Sequence, residues 1–503
     1  MPSDDELRKA LLYALGLGYQ LCPDALEALR SLPEGVEPTE LLKEVLEALG
    51  PSGRSFIRGE DVEEALGRRA PAPVGAPRPI PAREVEADIE VLMDPTGAPA
   101  PPGSVEDFLR YFKDRFERLS SLLRMRMDAR DASTVAAALR AGQNSEVKMI
   151  GMVREKREGD GKLVVVLEDL EATATVVFTP RAGSSAYDTA TRLMPDQVVC
   201  VRAVKIAGDL FLAKELVGPD VPLARRENTK LDGPLYAVLI SDLHYGSRSF
   251  LHDLFGRFLS WLKGEVGTRR LRELAGGVKY VVIAGDLVDG VGVYPGQEEE
   301  LEVKDVVEQY EGVAELLSEL PDHIEVIMIP GNHDACRKAL PQPAVPKKYA
   351  GPLYEDDRFH FFGNPSLIAL HGARLLIYHG NSFDDMVSTV PGMAFDRPLE
   401  MMRLVLWARH LAPTYGLKTP IAPLAEDLLV VEEVPDVFHT GHIHVAGSGG
   451  YKGVLLINSG CWQAQTPYQR ARGIRPTPGR AFLVDLHGLG VRELDFTRPE
   501  LWA

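Results

Sequence analysis

The residues of this chain that could do chemistry gather in five clusters, each placed where an apolar run stops. Tyr236–Ile240 leads into Ser241-Asp242-Leu243-His244, and Tyr280–Ala284 into Gly285-Asp286-Leu287-Val288-Asp289. Ile324–Ile329 leads into Pro330-Gly331-Asn332-His333-Asp334, Leu375–Tyr378 into His379-Gly380-Asn381, and Val437–Thr440 into Gly441-His442-Ile443-His444. Carboxylates, an amide and several imidazoles are metal-competent donors, and a mixed oxygen and nitrogen set suits Mn²⁺, Fe, Zn²⁺ or Ni²⁺ better than Ca²⁺ or Mg²⁺. Asp242 and His244 are two residues apart, so extended chain would point them the same way, and His442 with His444 repeats that spacing. Glycines at 285, 331 and 441 allow sharp exits and close backbone approach. Taken singly these motifs are weak: D-x-H arises by chance, G-D-x-x-D can be a loop cap, and an isolated His at a strand end is more often a hydrogen-bonded structural residue. G-N-H-D and G-H-x-H are more specific, and five ordered clusters at five strand ends are hard to explain as packing.

The elements that must carry these clusters read as strands buried on both faces, because the Val/Ile/Leu runs are nearly continuous. Ligand sites in such sheets lie at the carboxyl ends of the strands, so the five clusters can converge on one crevice. Strands alternating with helices from about Pro234 onward indicate an α/β region over 230–503. Upstream, residues 1–69 read as a small helical domain. Ser3 with Glu6 makes a capping box, and further amphipathic stretches lie near Asp24–Leu29, Glu40–Leu49 and Gly59–Leu66. Residues 70–103 are a Pro/Ala-rich linker by composition. Residues 104–144 form a helical connector opened by Ser104, with Phe108, Leu109, Phe112, Phe116, Leu119 and Leu123 at the spacing of a packing face. Five short β-rich runs with Gly-Asp turn signals between them suit a small OB-fold-like barrel over 145–220. That stretch is poor in the aromatics on which single strands stack, so a barrel used for packing or partner contact is as good a reading.

Composition bounds the rest. The chain has 503 residues and a formal net charge of -17, which argues against coating nucleic acid by bulk charge alone. Its four cysteines, Cys22, Cys200, Cys336 and Cys461, make no C-x-x-C pair and suit a reducing compartment. No secretory signal pattern and no apolar run of roughly 18–20 residues is present, so a soluble, cytoplasmic setting without membrane contact is expected.

The ordered set D-x-H, G-D-x-x-D, G-N-H-D, H, G-H-x-H resembles the calcineurin-like metallophosphoesterases from about Tyr236 to Asp485. That implies a β-sandwich flanked by helices. It also implies that Asp242, His244 and His444 hold one divalent ion, that Asn332, His379 and His442 hold a second, and that Asp286 bridges the two. His333 would sit over the scissile phosphate without binding metal. Paired ions of this kind clamp phosphoryl oxygens and activate water for in-line attack. Phosphoprotein phosphatases of the superfamily carry Arg-Gly after G-D-x-x-D and read G-N-H-E. Here Gly290-Val291 follows Asp289, and the fourth residue is Asp334.

A helical unit, a linker, a barrel and then a phosphoesterase is the layout of replicative polymerase B-subunits. VLISDLHYGS, PGNHDACRKALPQPA, YHGNSFDD and INSGCWQAQTPYQRARGIRPTPG resemble the small subunits of archaeal D-family DNA polymerases. The resemblance implies a Mn²⁺-dependent 3′–5′ proofreading exonuclease acting on DNA 3′ ends, partnered by a large catalytic polymerase subunit. A mainly structural B-subunit and a stand-alone repair nuclease of the same superfamily are the alternatives. Arg337, Lys338, Lys347 and Lys348 after G-N-H-D, and Arg470, Arg472, Arg475 and Arg480 with Trp462 and Tyr468 in the tail, are candidate contacts to DNA or the partner, set against a solvated surface as the plain alternative. Asp384 and Asp385 are candidates for supporting the metal ligands. His439 is expected to be structural or to support those ligands, and Asp334 to cap its loop or to orient His333.

Overall fold

The computed structural model describes residues 2, 4–16, 19–32, 36–49, 56–59, 61–62, 65–66, 80–99, 101–180, 185–223, 231 and 233–502. The chain divides into two compact units, Met1–Ile80 with Ser260–Gly276 and Pro499–Ala503, and Pro81–Leu259 with Gly277–Arg498.

In the first unit the amphipathic stretches form helices Asp4–Gly16, Pro23–Arg30 and Pro38–Leu49. Pro at the start of the last two matches its fixed φ and its lack of an N–H. Leu7, Ala10, Ala14, Leu29, Leu41 and Val45 make their common core. Gln20–Leu21 pairs in parallel with Phe56–Ile57. Ser3 and part of the stretch 59–66 lie outside the described residues.

The second unit holds a barrel and two sheets. Glu146–Gly159, Lys162–Glu168, Thr173–Phe178, Leu210–Val217 and Val198–Ala207 pair in that order, and the first closes on the last. Alternate residues Leu163, Val165, Leu167 and Ala174, Val176, Phe178 fill the interior, as the period of two requires.

The first sheet runs Phe359–Phe361, Glu325–Ile329, Val278–Ala284, Tyr236–Ile240, Arg480–Asp485, Val491–Asp495, with its first four strands parallel. The second runs Gly447–Tyr451, Val454–Asn458, Val437–Thr440, Ala373–Ile377, Ser366–Leu370, Ile89–Met93. Leu239, Val282 and Ile327 of the first sheet share one core with Ile368, Leu375 and Val437 of the second, so the sheets face each other. On the outer side of the second sheet, Leu376, Phe438 and Leu456 pack with Met401, Met402 and Val405 of the helix Pro398–Ala408.

Of the expected linker, residues 70–79 and 100 lie outside the described residues, and 81–99 correct it. Pro81–Arg83 is a helical turn that buries Ala82, and Ile89–Met93 is the edge strand of the second sheet, antiparallel to Ser366–Leu370. A five-residue strand between prolines is too short to announce itself by periodicity, and an edge position tolerates the proline-rich flanks. The helix Val105–Met125 begins as expected, with Ser104 and Asp107 forming a capping box. Its buried face is Tyr111, Arg115, Leu119, Ser120 and Leu123, while Leu109 is exposed.

Candidate metal centre

All five clusters arrive at one place because the strands that precede them end on the same side of the two sheets. The exits are not extended chain, which corrects the side-by-side geometry expected for Asp242/His244 and His442/His444. Asp242, His244, Asp286, His442 and His444 have left-handed backbones, with φ of 52°, 54°, 51°, 73° and 58°. Non-glycine residues seldom adopt this conformation, and where they cluster, surrounding structure holds them there. Neighbouring glycines make room. A Cβ on Gly285 would come within 2.6 Å of His379 Nδ1, and one on Gly331 or Gly441 would collide with the carboxylate of Asp286 or Asp242.

The inward atoms lie close together. His444 Nε2 is 3.4 Å from Asp242 Oδ1 and 3.0 Å from His244 Nε2. Asp286 Oδ2 lies 3.6 Å from His244 Nε2 and 3.3 Å from His379 Nε2, so it faces both halves of the cluster. Asn332 Oδ1 is 3.0 Å from His379 Nε2 and 2.9 Å from His442 Nδ1. The outward ring atoms are tied down. His244 Nδ1 meets Asp289 Oδ1 at 3.0 Å, His379 Nδ1 meets the Ala284 carbonyl at 2.7 Å, and His444 Nδ1 meets Gln469 Nε2 at 2.7 Å. His442 is reversed, with Nε2 3.7 Å from Asp384 Oδ1. His244 and His379 donate from Nδ1 and so turn the Nε2 lone pair inward, as metal coordination asks of a protein, whereas His444 Nδ1 accepts from Gln469 Nε2, whose Oε1 is taken by Thr466 N.

The electrostatics point the same way. Burial works to raise the carboxyls of Asp242 and Asp286, but facing imidazoles, His444 and His379 for the first and His379, His333 and His244 for the second, outweigh it and hold both below their usual range. Burial likewise opposes charge on His379, yet Asp286 lifts it to about 9. The cavity of about 240 Å³ is lined by Asp286, Asp289 and Asp384, and no Lys or Arg is among its described lining residues. Such a cavity gathers positive charge. The donor set therefore fits divalent cations: the ligand atoms of Asp242, His244 and His444, of His244, Asp286 and His333, and of Asp242, Asp286 and His379 lie within 4.8 Å of one another in each group, while His442 joins the cluster through Asn332 Oδ1.

Residues 237–446 match the family model for the B-subunit of DNA polymerase alpha/epsilon. The DNA polymerase II small subunit of Archaeoglobus fulgidus is 41% identical over 92% of this chain and 92% of its own length. The chain belongs to the family of archaeal DNA polymerase II small subunits. The member from Methanothermobacter thermautotrophicus is 40% identical over 89% of this chain and 92% of its own. A solved archaeal phosphodiesterase covers 52% of this chain and 99% of its own at 14% identity, with a TM-score of 0.27, too slight a likeness to carry an argument.

Other expected residues of this small subunit scatter. His333 stands edge-on to His244 at 4.6 Å, with Nδ1 donating to the Asp289 carbonyl at 2.7 Å. Asp334 does not orient it. Its carboxylate accepts from Gly331 N, Leu287 N and Tyr310 Oη, capping the loop, and burial pushes it up to about 6. Arg337 donates to the Ala339 and Pro341 carbonyls and Lys338 to those of Asn332 and Asp334, so both tie their own loop. With Lys348 they also line a second cavity that shares His333. Lys347 and Arg470 are exposed, and Arg472 lies over the Tyr468 ring.

Trp462 is fully buried against Phe255, Phe258 and Phe496, which makes it core and not a stacking platform. Arg480 pairs with Glu493 and Asp495 within its sheet. Asp384 faces His442, whereas Asp385 caps Lys418 N and Thr419 N. His439 bonds Ser459 Oγ at 3.0 Å. Sequence reasoning placed Asp289 in its cluster without a role and missed Gln469 and Asn364, which accepts from His379 N. For Asp289 the second Asp of G-D-x-x-D was the available signal.

Proposed function

We propose that this small subunit is a two-metal 3′–5′ exonuclease that proofreads DNA ends beside a large catalytic polymerase subunit, and that residues 230–503 form a calcineurin-like phosphoesterase. The observation that carries the reading is the convergence of Asp242, His244, Asp286, His379 and His444, joined by Asn332 and His442 through the Asn332 Oδ1 contacts to His379 and His442, with three imidazoles fixed from behind by Asp289, Ala284 and Gln469. Asp242, His244 and His444 would hold one cation, Asn332, His379 and His442 the other, and Asp286 would reach both. Mn²⁺ suits the set, with Fe, Zn²⁺ or Ni²⁺ as alternatives. Two such cations supply a charge clamp for the phosphoryl oxygens and acidify water.

The chain's own residues do the rest. A water oxygen bonds to the terminal phosphorus, the bond from phosphorus to the 3′ oxygen of the preceding nucleotide breaks, and that oxygen takes a proton. His333, held by Asp289 at the edge of the cluster, would give that proton or offset the charge on phosphorus only after its ring takes up a second proton, which burial opposes by pushing it down to about 4. Asp289 thus orients two rings, His244 through its carboxylate and His333 through its carbonyl.

The test is Mn²⁺-dependent release of mononucleotides from a 3′ end by the full chain, alone and with its large subunit. His333→Ala should abolish release while the circular dichroism spectrum and the assembly persist. Absence of cleavage by the metal-loaded protein in both settings overturns the reading and leaves a structural B-subunit.

A further inference from the structure

Beyond the donor cluster, the walls of the same cavity are aromatic and apolar. Tyr294 and Tyr468 face one another with ring centroids 6.4 Å apart and planes 28° from parallel. Tyr294 stands edge-on to His333 at 6.3 Å, and its hydroxyl donates to Glu300 Oε2 at 3.2 Å, which fixes the ring. Tyr468 is 50% exposed and lies in the helix Pro467–Ala471. That helix starts with a capping box between Thr466 and Gln469, and Gln469 is the residue that pins His444. One short helix therefore positions a ligand of the cluster and an aromatic wall together. Arg472 lies over the Tyr468 ring at 4.6 Å, and Val293 and Ile474 add apolar lining.

A centroid separation of 6.4 Å is close to the roughly 6.8 Å that two base steps occupy in a stacked strand. The two rings suit a flat, uncharged heterocycle, whereas the donor cluster next to them suits the phosphate. We propose that Tyr294 and Tyr468 form a slot for the terminal nucleobase of the strand being cut. The proposal rests on the exonuclease reading and adds what selects the substrate. A base enters the slot only after it leaves the duplex stack, and this is least costly for a mismatched or single-stranded end. Discrimination then lies in the freedom of the terminal base to unstack, read by rings that accept any base.

The test compares two single-stranded oligonucleotides that differ only at the 3′-terminal residue, one carrying a base and one abasic, cleaved by the full chain with Mn²⁺. The expected kcat/KM ratio favours the base-bearing end by roughly tenfold or more. Tyr468→Ala should bring the ratio close to one, Tyr294→Ala should lower it, and Tyr468→Phe should keep it. A ratio unmoved by Tyr468→Ala overturns the slot while leaving the exonuclease reading intact. A second measurement does not depend on cleavage. In the His333→Ala chain, an oligonucleotide ending in 2-aminopurine should lose fluorescence on binding, and adding Tyr468→Ala should remove that loss. If the wild-type chain cleaves neither end, the exonuclease reading falls and the quench alone decides the slot; absence of the quench overturns it.

Discussion

Two buried clusters of charge lie in the second unit, each built around aspartate and histidine, and they end differently. Around Asp427 every donor has an acceptor. Arg115 Nε and His410 Nε2 donate to Oδ2 at 2.7 and 2.8 Å, and Tyr111 Oη and Leu429 N donate to Oδ1 at 2.8 and 3.0 Å. Arg115 also donates to the Pro413 carbonyl and to Tyr111 Oη. One cation and one anion cancel, and the helix Val105–Met125 is thereby held to the segment around Asp427. Around Asp286 the lone pairs of carboxylates, an amide oxygen and imidazoles converge on each other, and the hydrogen-bond partners lie behind them. Burial of charge is common to both clusters, so it does not mark function. The direction in which the donors point does.

The comparison breaks most readily at Arg115, which is fully buried. Arg115→Met leaves Asp427 charged inside the protein without its cation, and loss of one member of a buried pair costs about 3–5 kcal/mol. Urea unfolding should show that loss with metal binding retained; a cost below about 1 kcal/mol would mean the cluster is not closed in this way. Somewhat smaller is the effect of acid on His410. Its Nδ1 accepts from Ala412 N at 3.1 Å while Nε2 donates to Asp427, so the ring is held neutral. Burial, reinforced by Arg115, pushes it down to about 4.

Above about pH 6.5 the folded and unfolded rings are both neutral and the group contributes nothing. Between about 6.5 and 4 the unfolded chain takes up a proton that the folded one refuses, so stability falls, by on the order of 3 kcal/mol in total, and levels off below. His410→Asn keeps a donor for Asp427 and does not titrate. The difference between the two unfolding free energies should shrink from pH 7.5 to 4 by that amount, and parallel curves would refute the assignment.

The converging cluster should respond to metal instead. Mn²⁺ at a hundred times its dissociation constant should stabilise the wild-type chain by about 2.7 kcal/mol. Asp286→Asn should lose most of that response, and Asp427→Asn should keep it despite its lower starting stability. Equal responses in the two variants would erase the distinction drawn between the clusters.

The sequence shows these two sites unequally. The converging one is legible because its parts repeat a rule: each apolar run stops at a polar cluster, and strand ends on one side of two sheets meet. What spacing hid was the turn of the backbone. Asp242 and His444 have left-handed φ, and the Asp242 carboxylate lies where a Cβ on Gly441, from another strand end, would sit. The pins Gln469 and Asn364 were hidden by distance along the chain, since Gln469 lies 25 residues from His444 and Asn364 lies 15 from His379. The closed cluster was invisible. Arg115 lies 312 residues from Asp427, and an arginine on an amphipathic helix reads as a solvated position. The edge strand Ile89–Met93 was masked by its prolines, while the barrel showed clearly because its strands alternate and pair mostly with their neighbours in sequence.

The finest test of the comparison uses a neighbour on the same helix. Arg118 lies three residues after Arg115 and also faces the Asp427 segment. Its Nε donates to Glu432 Oε1 at 2.8 Å, and Nη1 to the Asp427 carbonyl at 2.8 Å. The difference is solvent: the Arg118 and Glu432 side chains are 22% and 49% exposed, whereas Arg115 and Asp427 are fully buried. Water and salt screen the outer pair, and removing either partner leaves the other hydrated. Arg118→Met should therefore cost less than about 1 kcal/mol, and the cost should shrink further as salt is raised from 0.05 to about 1 M. The cost of Arg115→Met should stay nearly constant over the same range. If the two variants were equally damaging and equally salt-sensitive, pairing and not enclosure would hold the helix, and the closed cluster would be no different in kind from a surface ion pair.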